Sequence, residues 1–305
     1  MNTERKKNFE REYNHLLAHY KHIQQNQINN WVRSLITSQT KHITQLIPNF
    51  TINGFYRARK HNILEGTEKK SEITKFTCES QFWNPPIDLC LKRGRCNDIH
   101  ESLLYCSTEI FTAIIEVRPE KGEFVTIALF KPLEPEKYKG ARVKFVGLKS
   151  LSKIPQLEHI LGDDIEKDLE ELELDEILDD LFHKKITPET EDLYRLSIAV
   201  TKSMMTTLYE PDEGVYYEIH GMLYPSIECN RESFNIIYKP EHAKLHFGIS
   251  QLRTFKILES NSERIIVKEI RVAYQKPTPR MDPFDYYGFK WQNIDNPKTL
   301  ELKLE

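Results

Sequence analysis

The stretch RCNDIHESLLYCSTEIFTAIIE, residues 95–116, places a basic, an aromatic and an acidic side chain at spacings of ten and eleven residues. An arginine binds phosphate through its two-pronged guanidinium, a tyrosine stacks on a flat ring, and a carboxylate stabilises positive charge that develops on a sugar. Arg95, Tyr105 and Glu116 therefore predict a site for cleaving a charged nucleotide.

The local pattern around these residues predicts a turn, a strand and a helix in succession. Residues 93–95 contain a glycine between two arginines, which is typical of a turn, and residues 103–106 are apolar enough for a short strand. Apolar side chains at helical spacing then predict a helix that reaches Val117, with Ser107 or Thr108 as its N-terminal cap.

Helical and strand patterns alternate outside this stretch, which indicates an α+β protein. Helical patterns cover residues 4–47, where two amphipathic helices are expected, an acidic run at 163–180, and residues 189–208. Strand patterns cover residues 50–59, 123–130, 215–224, 235–238, 253–258 and 264–274, and the proline-containing tail from Lys276 on is expected to be irregular.

The composition excludes some classes of function but does not identify the function. The 305 residues suffice for a sizeable core, and the formal net charge of −3 gives no general attraction to nucleic acid or to an anionic membrane. No apolar run is long enough to span a bilayer, and the N-terminus lacks the apolar region of a signal peptide. We therefore expect a cytoplasmic protein with neither membrane nor direct nucleic-acid binding.

Two further features carry more than one interpretation. Cys78, Cys90 and Cys96 can be imagined as zinc ligands, but the chain lacks paired C-x-x-C spacing, so ordinary buried thiols and no metal are expected. The acidic run holds eleven Asp or Glu among the eighteen residues 163–180. We interpret it as the solvated face of a helix. The functional alternatives are that the run binds a basic partner or that it holds an autoinhibitory position.

Several separated pieces of the chain, taken in order, resemble the RES domain family, which is named for its arginine, glutamate and serine. The resemblance covers about residues 50–245 and rests on the ordered set more than on any single piece. The pieces are Phe55-Tyr-Arg57, Gly94-Arg95-Cys-Asn97, Leu104-Tyr105, Thr112-Ala-Ile-Ile-Glu116, Asp212-Glu-Gly214, Tyr224-Pro-Ser226 and Asn235.

The resemblance implies a fold and a division of the chain. The implied core is ADP-ribosyltransferase-like, with a mixed or antiparallel sheet and flanking helices, to which this chain adds N-terminal helices and a helical acidic insertion. The expected segments are a helical part at 1–49, a RES domain at 50–275 with the insertion at about 150–190, and a tail at 276–305 that packs on the body.

The resemblance also implies an activity, namely cleavage of the nicotinamide–ribose bond of NAD by hydrolysis or phosphorolysis. NAD is then the substrate, inorganic phosphate a possible second substrate, and no cofactor is needed. Known members are often toxins that a helix-turn-helix antitoxin neutralises. The residues that match the family's site are Glu116, Arg95, Tyr105 and Ser226 as catalytic positions, and Arg57, Asn97 and Asn235 as substrate-binding positions.

Individual roles follow from the chemistry of these side chains. Glu116 is expected to bond the ribose hydroxyls and stabilise the developing cation, while Arg95 and Arg57 suit the pyrophosphate or a phosphate nucleophile. Tyr105 can stack on nicotinamide, and Ser226 can bond its amide or a ribose oxygen. Asn235 is expected to support the loop of Ser226.

This chain departs from the family pattern in two places, and other functions compete with NAD cleavage. Cys96 lies where a bulky residue is common, and residues 133–190 are longer than a minimal RES domain needs. ADP-ribosyl transfer to a protein or nucleic acid and a non-catalytic NAD-binding module are the alternatives. A helical ribonuclease that uses Arg95 and His100 is disfavoured, because no long helix is predicted to present the pair.

Overall fold

The computed structural model describes residues 3–39, 47–50, 54–61, 76, 78–138, 140–147, 173–206, 208–210, 215–229, 233–274 and 289–303. Within them, helices pack against a large mixed sheet, so the predicted α+β class is confirmed. The α-helices are α1 (Thr3–His19), α2 (Gln25–Gln39), α3 (Ile110–Glu116), α4 (Glu173–His183), α5 (Tyr194–Met204) and α6 (Pro240–His246).

Eleven strands form one sheet in the order β1-β5-β8-β9-β3-β2-β4-β10-β11-β12, with β13 also paired to β11. Only β5 and β8 run parallel among these described pairs; the rest are antiparallel. Two further strands, β6 and β7, form a separate antiparallel pair. The strands are β1 (Ile47–Phe50), β2 (Phe55–Lys60), β3 (Leu104–Ser107), β4 (Phe124–Pro132), β5 (Ala141–Phe145), β6 (Leu208–Glu210), β7 (Val215–Tyr217), β8 (Gly221–Pro225), β9 (Phe234–Tyr238), β10 (Phe247–Ser260), β11 (Arg264–Tyr274), β12 (Trp291–Asn293) and β13 (Thr299–Lys303).

The two N-terminal helices and the helix after residue 109 are confirmed, but other helix boundaries differ from expectation. Pro188–Leu193 is a 3₁₀ segment, so the helix predicted at 189–208 is only α5. Of the acidic run, the structure describes only the part inside α4; the remainder lies outside the described residues. Helix α6 was not predicted, although Pro240 at its first turn is a common helix start.

Three strand predictions are corrected. The single strand expected at 50–59 is replaced by β1 and β2, which pair with different neighbours, and the strand expected at 215–224 is likewise two, β7 and β8. The tail is not wholly irregular, because β12 and β13 both pair with β11. A strand needs only a free sheet edge to pair, and the tail sequence does not reveal where that edge is.

The helix cap predicted from Ser107 or Thr108 is wrong, and the reason matters for the site. Glu109 occupies the cap position of α3 and makes no side-chain cap bond. Both hydroxyls instead bond to β9: Ser107 donates to Asn235 at 2.8 Å and Thr108 to the carbonyl of Phe234 at 3.1 Å. They fasten the start of α3 to the neighbouring strand.

The two faces of the sheet are covered differently. On one face, aromatic side chains such as Phe55, Phe130 and Tyr238 form a closed core, to which α6 contributes. On the other face, α3 packs over β2 and β4, while α1, α2, α4 and α5 form a helical group over β8 and β9. The boundary between α3 and the helical group, which we call the seam, lies over β3, which α3 also contacts, and β9.

Candidate functional site

Four strands contribute one row of side chains to the floor of this seam. Register pairs Tyr224 of β8 with Asn235 of β9, Asn235 with Ser107 of β3, and Ser107 with Tyr56 of β2. Directly opposed residues on adjacent strands point to the same face. The floor therefore combines two phenol rings with an amide and a hydroxyl.

Glu116 lies above this row as the last residue of α3. Its Oε1 accepts a hydrogen bond from the Ser226 hydroxyl and another from the Asn235 amide, each 2.6 Å long. Both donors end on the same oxygen, and no described residue bonds Oε2. The carboxylate is thus held by one oxygen and offers the other.

The Asn235 amide is oriented by a second contact. Its Oδ1 accepts from the buried hydroxyl of Ser107, so its nitrogen must point to Glu116. Buried amides and hydroxyls are costly unless both are paired, which makes this relay a constraint on geometry. We call Glu116, Ser226, Asn235 and Ser107 the Glu116 cluster.

The loop that carries Ser226 is tied down on both sides. The backbone N–H of Ser226 donates to the carbonyl of Ser233, and the Ser233 hydroxyl receives a bond of 2.8 Å from Thr112 in α3. Ser226 is fully buried, and Thr112 and Ser233 nearly so. These bonds hold the loop so that the Ser226 hydroxyl lies beside Glu116.

A second group of predicted residues forms around a turn at 94–97, which we call the Arg95 turn. The Tyr105 hydroxyl donates to Asn97 Oδ1 at 2.7 Å and accepts from the N–H of Cys96 at 2.9 Å. A Cβ on Gly94 would meet that same Oδ1 at 2.5 Å, so only glycine fits. The hydroxyl of Tyr105 thus stabilises the turn.

The guanidinium of Arg95 is engaged by the end of α4. Its two terminal nitrogens donate to the carbonyls of Phe182 and Lys184, at 2.6 and 3.2 Å, and the group lies 5.9 Å from the ring centre of Tyr194. The last carbonyls of a helix lack partners within it and carry partial negative charge, so an arginine there is favourable. Arg95 is a cap for α4 in this structure.

Arg57 is not brought to Glu116. Along β2 it alternates with Tyr56 and Ala58, which pack toward α3, so its side chain leaves the opposite face of the sheet. Its Nη1 donates to the carbonyl of Tyr105 at 2.7 Å. Strand register decides which face a side chain points to, and the strand pattern at residues 50–59 does not reveal that register.

Tyr224 connects the two groups. It is almost fully buried, and burial raises the pKa of its phenol well above the ordinary range, as do the nearby Cys96, Tyr105 and Glu116. Burial also raises the pKa of Cys96 to about 12, so this thiol stays protonated near neutrality and is not a nucleophile. Cys96 instead packs in the core beneath the helical group.

Residues that sequence reasoning missed lie at the rim of the Glu116 cluster. Arg118, two residues after Glu116, bonds Glu228, two residues after Ser226, through Nε at 3.0 Å and Nη2 at 2.6 Å. Glu116 and Tyr194 also contribute to raising the pKa of Arg118, behind the larger effect of Glu228. The basic residue after the glutamate was the only available signal in the sequence.

Other features of the described residues lie elsewhere. A cavity of about 210 Å³ is lined by Asn26, Asn29, Asn30, Arg33, Lys202 and Ser203 between α2 and α5, not by the Glu116 cluster. No three His, Cys, Asp or Glu side chains in the described part of the chain are grouped to hold a metal. The helices that can be described there are all too short or too polar to cross a membrane.

A scan against protein-family models and a search of curated proteins found no match to the chain. The site is therefore interpreted from its own geometry and from the sequence resemblance alone.

Proposed function

We propose that this chain binds NAD with the nicotinamide ribose at Glu116 and cleaves the bond between nicotinamide and ribose. One observation carries the proposal: Glu116 Oε1 accepts bonds from Ser226 and Asn235, which come from separate parts of the chain. Glu116, Ser226 and Asn235 are among the seven residues that the resemblance to RES domains implies for the site. An ADP-ribosyltransferase-like core is part of the same proposal.

The chemistry requires a fixed negative charge beside a sugar that becomes positive. The N-glycosidic bond breaks, its electron pair leaves with nicotinamide, and an oxygen of water or phosphate bonds C1′ and gives up a proton. The free oxygen of Glu116 can bond a ribose hydroxyl and stabilise the cationic transition state. Two donors on the other oxygen hold the carboxylate in place before the substrate arrives.

The other predicted residues receive adjusted roles. We assign Tyr105 and Asn97 to stabilising the Arg95 turn, and Arg95 to holding α4, because their hydrogen-bonding groups have protein partners. Tyr56 and Tyr224 flank the polar row; Tyr224 is almost fully buried, whereas Tyr56 is partly exposed and can offer a ring face near the Glu116 cluster. Aromatic faces of this kind suit a flat nicotinamide ring.

Water or phosphate is the favoured acceptor over a macromolecule. A protein-modifying transferase commonly uses a second acid close to the first, and Ile114, two residues before Glu116, is fully buried in the core beneath α3. An acid at that position would lie in apolar surroundings and could not orient an acceptor.

The proposed activity has biological consequences. An enzyme that consumes NAD depletes it in the cytoplasm and arrests growth, so it acts as a toxin unless a partner neutralises it. A helix-turn-helix antitoxin is the partner class that the resemblance implies. NAD itself is the substrate and no further cofactor is required.

Incubation of the purified 305-residue chain with NAD tests the proposal directly. We expect free nicotinamide to appear; release independent of phosphate identifies a hydrolase, and strict dependence on phosphate a phosphorylase. Glu120→Gln, which changes an exposed acid near the end of α3, should keep wild-type release. Absence of nicotinamide release under all conditions, or transfer of label to a macromolecule, would contradict the proposal.

A further inference from the structure

Arg95 and Arg57 were expected to bind the negatively charged part of the substrate, and Arg118 is a third arginine near the site; the three differ in what their guanidinium groups contact. Arg95 donates to main-chain carbonyls at the end of α4, and Arg57 projects from the opposite face of the sheet. Arg118 alone of these three contacts a carboxylate, and 60% of its side chain is exposed. An anion can replace a carboxylate at an exposed arginine, whereas it cannot easily replace a helix end.

From this contrast we infer that Arg118 binds the diphosphate of the substrate and that Glu228 occupies its place in the free protein. The inference rests on the proposed function in one respect, which is that the ligand at Glu116 is a dinucleotide. It adds a substrate-binding residue that lies outside the pieces of sequence on which the resemblance was based.

The backbone fixes Arg118 beside Glu116. Its φ is +45°, a left-handed conformation that side-chain-bearing residues rarely adopt. The N–H donates to the carbonyl of Ile115 at 2.8 Å, and the carbonyl accepts from Lys60 Nζ at 3.2 Å. Lys60 is in turn paired with Glu123 at 3.0 Å. These bonds maintain an unfavourable conformation, which is a pattern typical of functional sites.

The geometry of the Arg118–Glu228 ion pair allows an anionic ligand to replace Glu228. Nε and Nη2 of Arg118 both donate to Oε1 of Glu228, so the two-pronged guanidinium meets one oxygen instead of two. A diphosphate carries more charge and offers several oxygens, which suits the fork better. The Arg118 side chain is 60% exposed and that of Glu228 is 20% exposed, so an anion can reach the pair from the side of the arginine. Solvent on that side screens the ion pair and limits its contribution to stability.

The positions also match the proposed chemistry. Glu116 and Arg118 are separated by one residue, and their partners Ser226 and Glu228 are likewise separated by one residue on the facing loop. A dinucleotide places its diphosphate next to the ribose whose bond is cleaved. The acid would then contact the ribose and the arginine the adjacent phosphates.

Binding of ADP-ribose to the full-length chain, measured by calorimetry, tests the inference without turnover. We expect Arg118→Gln to raise the dissociation constant at least about tenfold, and Arg118→Lys to recover part of the loss. Glu228→Gln should lower the dissociation constant a few-fold, because it removes the competing carboxylate while keeping a similar shape. A purely structural ion pair would not give tighter binding.

The exposed pair Arg264–Glu259 provides matched controls, Arg264→Gln and Glu259→Gln, which should leave binding unchanged. In parallel, Arg118→Gln should raise KM for NAD but not for nicotinamide riboside, which has no phosphate. Unchanged affinity in Arg118→Gln, weaker or equal binding in Glu228→Gln, or no binding of ADP-ribose to the wild type would overturn the inference.

The same experiments separate this inference from the proposed function. Arg118-dependent binding of ADP-ribose without nicotinamide release would refute NAD cleavage and leave the inference standing. Nicotinamide release with no effect of Arg118→Gln on affinity or KM would refute the inference and leave the proposed function standing.

Discussion

The Glu116 cluster and the Arg95 turn were predicted as parts of one site, yet they are built in different ways. In the Glu116 cluster, side chains bond side chains, and none of the described residues bonds the second carboxylate oxygen. In the Arg95 turn, side chains mainly bond the backbone: the arginine caps α4, and the tyrosine holds the turn. Geometry thus separates residues suited to chemistry from residues suited to support.

Polar residues that share a motif can therefore have different roles. A residue type alone is compatible with both roles, because an arginine fork suits helix carbonyls as well as phosphate. What distinguishes the roles is whether the donors are already satisfied by the protein. Substitutions in the Glu116 cluster should therefore lower turnover, and substitutions in the Arg95 turn should lower stability.

The largest expected effect is on turnover, from Asn235→Leu. The variant removes one donor to Glu116 and leaves the Ser107 hydroxyl unpaired, so nicotinamide release should fall about 10²- to 10³-fold. Release is compared at saturating NAD. Asn84→Leu serves as the control, since it removes a half-buried amide that bonds Ser102 and should leave turnover unchanged. Equal turnover in wild type and Asn235→Leu would break the comparison.

Arg95→Met should affect stability first. Loss of two charged hydrogen bonds to the end of α4 is expected to lower the free energy of unfolding by about 2 to 3 kcal/mol. Denaturant titration measures this loss, and hydrogen exchange should show weaker protection in α4. Turnover at saturating NAD should fall less than in Asn235→Leu. A large loss of turnover with unchanged stability would indicate that Arg95 acts in catalysis and not in holding α4.

Tyr105→Phe should have a smaller effect on the same quantity. Removing the hydroxyl leaves the N–H of Cys96 and Oδ1 of Asn97 without their partner, which should cost about 1 to 2 kcal/mol of unfolding free energy. The measurement is again denaturant titration. If the variant kept its stability and lost activity instead, the tyrosine would belong with the Glu116 cluster.

A pair of stacked histidines outside both regions predicts a modest pH effect on the scaffold. Mainly through burial, the pKa of His220 is lowered to about 4 and that of His242 to about 3. Their rings lie 3.8 Å apart, with Arg142, Lys239 and His246 lowering the pKa of His220 further and Glu218 opposing them. Both rings are therefore neutral in the folded protein near pH 7.

The sign of the effect follows from these directions. Below about pH 6.5 the unfolded chain takes up protons that the folded rings do not, so stability falls as the pH is lowered toward the folded pKa values. We expect the unfolding free energy of wild type to decrease from pH 7 to pH 5 more than that of His242→Phe. Parallel pH profiles for the two proteins would contradict the prediction.

The sequence predicted the Glu116 cluster better than its surroundings. Glu116, Ser226 and Asn235 could be named because an ordered set of short motifs resembles a family, and side-chain chemistry explains their grouping. No comparable motif in the sequence indicated Arg118 and Glu228, because their contact depends on the left-handed backbone at Arg118. Nor could the sequence indicate that α4 would reach Arg95, because that contact joins segments almost ninety residues apart.

The fold shows the same division between local and distant information. Helices α1 and α2 were predictable because the apolar spacing lies within each segment. The roles of Ser107 and Thr108 were mistaken because local propensity favours a helix cap, whereas both hydroxyls bond residues of β9, which is distant in sequence. Strands β12 and β13 were missed because both pair with β11. Although β11 is close to them in sequence, the sequence does not show that β11 has a free edge.

The most direct test of the central claim is the rate of nicotinamide release from NAD by Glu116→Gln, measured beside its unfolding free energy. Gln keeps the shape of the side chain and removes its charge. We predict a loss of turnover of about 10²- to 10³-fold with stability close to that of wild type. Turnover equal to that of the wild-type protein would contradict the assignment of Glu116 as the residue that stabilises the transition state.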